Sequence, residues 1–163
     1  MKRSFKKIAV LLIMFILAVE VTTVSQGVNV SAASSRSTQS KAKKAYKNYA
    51  QKYLLSSVSY PYGTYKLYDI NKDGISEMFF TYMSGVRGGY KIYTYKKGKI
   101  IKMLDVTGAG GLYRNAKKKQ ICISFSNGAA DSWATSYKMK GQKLVPVQKY
   151  HDISGFKGTS IRF

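Results

Sequence analysis

The chain has 163 residues, of which 28 are Lys or Arg and 7 are Asp or Glu, and its formal net charge is +21 at pH 7. This length accommodates one ordinary domain plus a targeting segment, which excludes a multidomain enzyme. Because 45% of the residues are hydrophobic and 13% are aromatic, the composition also excludes a disordered polycation. We therefore expect one basic globular domain.

The N-terminus has the pattern of an export signal. Four basic residues precede an uninterrupted run of twelve apolar residues at positions 8–19. A membrane-spanning helix needs about 20 apolar residues, whereas signal sequences use about 7–15. Val30-Ser31-Ala32 followed by Ala33 fits cleavage by a signal peptidase. The sequence predicts a signal peptide over residues 1–32 and a secreted or cell-surface protein without a transmembrane segment after cleavage. The alternative is an uncleaved N-terminal anchor.

The mature chain is predicted to begin with a linker and a helix. Residues 33–40 are polar and rich in Ser, which is typical of a linker that ends in a helix cap. Residues 42–54 then have Ala, Tyr and Leu at every third or fourth position, with Lys, Asn and Gln between them. This is the period of an amphipathic helix. Pro61 and Gly63 end the pattern.

Short β-strands are predicted for the remainder of the chain. They are rich in β-branched and aromatic residues, and Lys97-Gly98, Asn127-Gly128 and Lys140-Gly141 provide tight turns between them. The seven predicted strands are 65–70, 78–83, 90–95, 100–106, 120–126, 133–139 and 144–150. Because no helix separates them, they should pair antiparallel. We therefore expect an α+β domain over residues 41–163, in which one N-terminal amphipathic helix packs on a curved antiparallel sheet of about six to seven strands.

One motif carries oxygen ligands at the spacing of a calcium loop. In the segment D-I-N-K-D-G-I-S-E at residues 69–77, oxygen-bearing side chains occupy loop positions 1, 3, 5 and 9, and glycine occupies position 6. Alternate side chains of a tight loop can point inward, glycine permits the sharp turn, and the carbonyl at position 7 adds an oxygen. Oxygen ligands without His or Cys favour Ca²⁺ over zinc or copper. The predicted calcium ligands are Asp69, Asn71, Asp73, Glu77 and the carbonyl of Ile75.

The motif differs from an EF-hand, because position 12 is Phe80 and both flanks are predicted strands. D-x-N-x-D-G-x-x-E between strands resembles the calcium loops of VCBS/FG-GAP repeats, in which Asp is more usual than Glu at the ninth position. The longer context is a Tyr-rich predicted helix, then Y-x-L-Y-D-I-N-x-D-G-I-S-E, then predicted hairpins with Tyr, Lys and Gly at their turns, as in Y-K-K-G-K at residues 95–99. This order resembles small secreted proteins of Gram-positive bacteria. A propeller fold is not implied, because a single such loop cannot build one. We expect a structural ion that joins two strands, and the alternative is an Asx-rich turn that binds nothing.

Several other features favour structural interpretations. Cys122, the only cysteine, lies in an apolar predicted strand and is expected to be buried. The glycine-rich segments 85–89 and 108–111 precede strand patterns and are interpreted as hairpin loops instead of phosphate-binding loops. Trp133 and the many tyrosines would suit a carbohydrate face, but aromatic residues at strand spacing are usually core or cross-strand pairs.

The positive charge indicates a polyanionic partner. No Asp or Glu lies between Glu20 and Asp69, and further lysines cluster near predicted turns at 96–102 and 117–119. Such a surface attracts polyanions. For an exported protein the expected partner is an anionic cell-wall polymer or an anionic lipid surface, and nucleic acid is less favoured. The alternative is that the charge serves only solubility.

The sequence therefore predicts a non-enzymatic, calcium-stabilised binding module of the cell envelope. The competing hypothesis is a small secreted enzyme, such as a hydrolase, with an unrecognised site. No signature supports it, because the sole histidine, His151, stands beside Asp152 in the chain, whereas catalytic triads are assembled from separated segments. The carboxylates outside the calcium motif carry no glycosidase signature.

Overall fold

The computed structural model describes residues 35–57, 59–60, 62–84, 87–126 and 132–163. The predicted signal peptide and the Asn127-Gly128 turn lie outside the described residues. A helix covers residues 35–49 and continues as a π-helix at Ala50–Leu55, and we call the two together α1. The described residues form nine strands after it: β1 Thr64–Tyr68, β2 Glu77–Ser84, β3 Arg87–Lys96, β4 Lys99–Thr107, β5 Ala109–Asn115, β6 Gln120–Ser126, β7 Ser132–Lys140, β8 Lys143–Tyr150 and β9 Thr159–Ser160. A short 3-10 helix, Ile153–Gly155, lies between β8 and β9.

The strands form two antiparallel sheets that are built from consecutive hairpins. The first sheet has the order β1-β2-β3-β4, and the second has the order β8-β7-β6-β5-β9. The chain passes from the first sheet to the second at Gly108, which has a φ of +71° and whose N–H donates to the carbonyl of Gly88 at 2.8 Å. Lys97-Gly98 and Gly141 also have positive φ, as expected for the predicted turns.

α1 and the second sheet cover opposite faces of the first sheet. Along β2, Met78, Phe80 and Tyr82 are buried in one cluster with the apolar face of α1, which comprises Ala42, Tyr46, Ala50 and Leu54. Phe79 instead belongs to a cluster with Ile92 and with Leu112, Ile121 and Ile123 of the second sheet. Because successive strand residues point to opposite faces, this alternation places two cores on either side of one sheet. Each large side chain buried there contributes about 1.5–3 kcal/mol.

The α+β class and the antiparallel pairing are confirmed, and each of the seven predicted strands overlaps a strand of the structure. The prediction of one sheet of six to seven strands is wrong, because nine strands form two sheets. The segment 108–111, expected to be a loop, contributes to β5. The predicted linker 33–40 is helical from residue 35 onward, where Gln39 gains hydrogen bonds to Ser76. None of the helical segments in the described part of the chain combines the length and hydrophobicity that crossing a bilayer requires.

Candidate metal centre

The predicted calcium motif forms the connection between β1 and β2, and we call residues 69–77 the acidic loop. Asp69 directly follows β1, and Glu77 is the first residue of β2. The chain reverses direction through two left-handed residues, Lys72 with a φ of 60° and Gly74 with a φ of 87°. The glycine at the sixth position therefore has the backbone conformation for which it was predicted.

Three predicted ligands are gathered around the backbone N–H groups of the acidic loop. Asp69 accepts from the N–H of Asp73 at 3.2 Å and from that of Gly74 at 2.8 Å. Asn71 accepts from the N–H of Asp73 at 3.2 Å and donates its amide to the Asp73 carboxylate at 2.9 Å. Asp73 accepts from the N–H of Ile75 at 2.8 Å. These bonds are typical of Asx turns and hold the loop in a tight curve.

Glu77 occupies a different environment from the other ligands because it is fully buried. Its Oε2 accepts from the backbone N–H of Ile70 at 3.0 Å, and its Oε1 accepts from the hydroxyl of Thr94 at 3.3 Å. Burial raises the pKa of Glu77 to about 7, which the hydrogen bond from Ile70 opposes and the nearby charges of Asp73 and Asp69 reinforce. Glu77 therefore ties the start of the acidic loop to its end and to β3.

The last part of the acidic loop is also attached to α1. The side-chain amide of Gln39 donates to the hydroxyl of Ser76 at 2.8 Å and accepts from the backbone N–H of Ser76 at 2.8 Å. The side chain of Ile75 is half-buried against the cluster between α1 and the first sheet. The loop is thus fixed by the strands on one side and by the helix on the other.

The donor chemistry of the acidic loop fits a hard cation. Its side-chain donors are all carboxylate or amide oxygens, which Ca²⁺ prefers. Each carboxylate oxygen has a second acceptor position beyond the hydrogen bond that it already accepts. The two ion pairs among the described residues both involve Asp105, so the three acidic side chains of the loop have no cationic partner in that part of the chain.

The predicted ligands differ in burial. Within the described ranges, no three His, Cys, Asp or Glu side chains are close enough together to hold a metal ion. Glu77 is buried at the start of β2, whereas Asp73 is exposed and Asp69 and Asn71 are half-buried. Asp69, Asn71 and Asp73 are joined by hydrogen bonds within the loop, and Glu77 is tied to the loop through the N–H of Ile70. Calcium binding stays a prediction.

The predicted lysine clusters lie on exposed hairpin turns. Lys96, Lys97 and Lys99 surround the β3–β4 turn, and Lys117–Lys119, which we call the lysine turn, connect β5 to β6. Because consecutive turns of a meander alternate between its two ends, the β3–β4 turn lies at the same end of the first sheet as the acidic loop. The positive field of these lysines therefore opposes cation binding at the loop and lowers the expected affinity.

Sequence reasoning missed the ion pair between buried Lys91 and the more exposed Asp105, which face each other across β3 and β4. Lys91 Nζ is 2.7 Å from Asp105, and so is Lys102 Nζ. Burial lowers the pKa of Lys91, but hydrogen bonds to Asp105 and Tyr60 outweigh it, so the pKa is raised overall. A lysine among the apolar residues of a predicted strand indicates an acidic partner, because a lysine is almost never buried without one.

The other candidates have structural roles. Asp152 accepts from the N–H of Ser154 at 2.7 Å and caps the short 3-10 helix, and His151 is exposed. Trp133 pairs with Phe125 across β7 and β6, with ring centroids 5.5 Å apart. Cys122 is buried, as predicted, and burial raises its pKa to about 12. A buried thiol with such a pKa is unreactive.

No protein-family model, curated protein or solved structure matches this chain. The resemblance of the acidic loop to VCBS/FG-GAP loops stays a prediction from its sequence. A functional proposal for this protein depends on two observations, namely the geometry of that loop and the distribution of charge.

Proposed function

We propose that the mature protein is a secreted, basic, non-enzymatic module that binds anionic polymer at the cell envelope and is stabilised by a structural calcium ion in the acidic loop. Asp69, Asn71, Asp73, Glu77 and the carbonyl of Ile75 would hold the ion. The proposed calcium ion is structural and takes no part in a reaction. It neutralises the carboxylates and fixes the connection between β1 and β2.

The observation that carries the proposal is the excess of unpaired positive charge on the surface. Lys91 is buried and Arg114 is half-buried, and the remaining Lys and Arg side chains that the structure describes are exposed. Among those exposed side chains only Lys102 is in an ion pair. The charges cover α1 and hairpin turns of both sheets, so a long polyanion can contact several groups at once.

A soluble or wall-bound polymer suits this surface better than a lipid bilayer. Helices that lie in a membrane interface insert an apolar face between the lipids. The apolar face of α1 is already buried, because Ala42, Tyr46, Ala50 and Leu54 pack against β2 and β3. The helix therefore presents its lysines to the solvent, and of its large apolar side chains only Tyr53 and Leu55, near its C-terminal end, are exposed.

The proposal is tested by retention of the mature protein on purified anionic wall polymer at increasing salt. We expect tight retention at low salt and release on the way to 1 M salt, because the Debye length falls from about 10 Å at 0.1 M to about 3 Å at 1 M. Replacing the lysine turn with K117Q/K118Q/K119Q should weaken retention several-fold. These residues are exposed, so the melting temperature should stay within about a degree.

A neutral polysaccharide of similar length serves as the matched control surface. Equal retention on the neutral and anionic polymers, or retention that is unchanged at 1 M salt, would contradict the proposal. Turnover of the wall polymer during the experiment would favour the enzymatic alternative.

A further inference from the structure

A cavity with three cationic side chains lies where β1, at the edge of the first sheet, approaches β5 and β9 of the second sheet. Its volume is about 360 Å³. Its charged and polar lining consists of Lys66 and Tyr68 from β1, Arg114 from β5, and Ser160 and Arg162 from the C-terminal segment. None of the residues that line it is acidic.

Two of the cations are held by contacts that leave hydrogen-bond donors available. The guanidinium carbon of Arg114 lies 4.5 Å from the centroid of the Tyr68 ring, and this cation–π contact does not use the hydrogen-bond acceptors that its five N–H donors need. Lys66 Nζ donates to the backbone carbonyl of Arg162, and two of its three N–H groups remain. Both ion pairs of the described residues involve Asp105, so neither uses a cation of this cavity.

The C-terminal wall of the cavity is anchored to the second sheet. β9 pairs with β5 in the register Tyr113↔Ser160, and the N–H of Ile161 donates to the carbonyl of Leu112 at 2.8 Å. The side chain of Ile161 packs against the cluster between the two sheets. Ser160 and Arg162 are therefore positioned by strand pairing and by the half-buried Ile161 between them.

The chemistry of the cavity is that of an oxyanion site. Three like charges in one cavity repel one another, and a bound anion removes that repulsion. Guanidinium groups bind phosphate and carboxylate through paired N–H donors, and an ammonium adds a point charge. The donors here come from three separate chain segments, and the tetrahedral oxygens of a phosphate reach in several directions, whereas the two oxygens of a carboxylate lie in one plane.

We propose that this cavity is a binding site for one phosphate group of a soluble phosphate-containing polyanion. The phosphate accepts from Arg114, Arg162 and Lys66, and the hydroxyl of Ser160 is a further donor. The inference rests on the proposed function for the identity of the polyanion, but the site itself can be tested with inorganic phosphate alone.

The test compares variants of the mature protein by calorimetric titration with inorganic phosphate at low salt. K66Q/R162Q removes two cavity cations, and K138Q/K140Q removes two exposed lysines of β7 outside the cavity, so the net charges are matched. We expect K66Q/R162Q to weaken phosphate binding about ten-fold or more and the control to change it less than about two-fold. Acetate should bind about ten-fold more weakly than phosphate to the unmodified protein.

A second variant keeps the charge. Arg114→Lys retains a cation over Tyr68 but removes the forked donor geometry, and it should weaken phosphate binding several-fold. Equal weakening by K66Q/R162Q and K138Q/K140Q, or acetate binding as tight as phosphate binding, would overturn the assignment. Unchanged phosphate affinity in Arg114→Lys would overturn the role of the guanidinium.

Polymer experiments separate this site from the proposed function. If the cavity variants lose inorganic phosphate while the unmodified protein does not bind wall polymer, the site stands and the proposed function fails. If polymer retention is salt-sensitive but equal in K66Q/R162Q and K138Q/K140Q, the proposed function stands and the site fails. Binding to soluble poly(glycerol phosphate) and to phosphatidylglycerol vesicles distinguishes the source of the phosphate group. If K66Q/R162Q weakens binding to the vesicles alone, a soluble polyanion is not the ligand.

Discussion

The acidic loop and the lysine turn reverse the chain by similar backbone means. An asparagine side chain accepts from a backbone N–H of each: Asn71, within the acidic loop, from Asp73 at 3.2 Å, and Asn115, at the end of β5, from Lys118 at 2.9 Å. Each also contains a lysine with positive φ, which is 60° at Lys72 and 53° at Lys119. The two connections differ in charge, because one carries carboxylates and the other carries three lysines.

They differ equally in how they are attached to the rest of the protein. The acidic loop reaches the core through the buried Glu77 and reaches α1 through Ser76. All three side chains of the lysine turn are exposed and form no ion pair among the described residues. Similar turn geometry is therefore attached to the core in one place and exposed to solvent in the other. Substitutions in the acidic loop should change stability, and those in the lysine turn should change affinity.

The largest effect is expected for Glu77→Ala. Removal of the carboxyl leaves the Ile70 N–H and the Thr94 hydroxyl without their acceptor and creates a cavity, so the free energy of unfolding should fall by about 4 kcal/mol. Urea unfolding at pH 6 without calcium measures this change. Lys118→Ala is the control and should alter the free energy by less than about 0.5 kcal/mol. A loss below about 1 kcal/mol for Glu77→Ala would show that the two connections are not differently coupled to the core.

The next effect is a pH dependence that belongs to Glu77. The folded protein keeps the Glu77 proton up to a pKa of about 7, whereas an ordinary glutamate releases it near 4.5. The contribution to stability is therefore complete below about pH 4.5 and is lost as pH rises through about 7, and it amounts to about 3 kcal/mol. Unfolding curves from pH 4 to pH 8 in chelator, compared with those of Glu77→Gln, isolate it. Parallel pH profiles for the two proteins would contradict the expectation.

The smallest of the three effects comes from calcium. At free calcium of ten times the Kd, mass action stabilises the folded protein by about 1.4 kcal/mol, which raises the melting temperature by a few degrees. We expect millimolar calcium to be needed, since loops of low charge bind with a Kd of about 10⁻⁴–10⁻³ M. Asp69→Ala and Asp73→Ala should abolish the increase, and K117Q/K118Q/K119Q should retain it. An equal melting temperature in calcium and in chelator would identify the acidic loop as a turn that binds no ion.

Strands β1–β4 and β6–β8 could be predicted from the sequence, because the alternation of apolar and polar residues is a local signal. The glycines of the turns between them are a local signal as well. β5 was not predicted, because the glycine-rich segment 108–111 at its start is typical of a loop. At Gly111 a Cβ atom would lie 2.8 Å from the ring of Tyr113, so a larger residue in this strand would force that ring to move. The division into two sheets depends on the change of direction at Gly108, and no periodicity in the sequence distinguishes that change from an ordinary hairpin.

The candidate site was predictable in part for a similar reason. The spacing of Asp69, Asn71 and Asp73 determines that their side chains share one loop, and the structure brings these three together. The environment of Glu77 depends on Thr94, which is distant in sequence and reaches it through the pairing of β2 with β3. Nothing in the nine-residue motif reports that pairing, so the burial of Glu77 could not be inferred from the spacing.

Lysines on the outer strands of the two sheets also affect how the protein aggregates. β1, β4, β8 and β9 are the outer strands of the two sheets, and the free backbone groups of an outer strand can pair with another molecule. Lys66 on β1, Lys99 on β4, and Pro146 and Lys149 on β8 interrupt such pairing, and β9 has only two residues. Charge repulsion between molecules thus protects the sheet edges. Neutralising these lysines therefore removes a barrier to edge-to-edge association between copies of the protein.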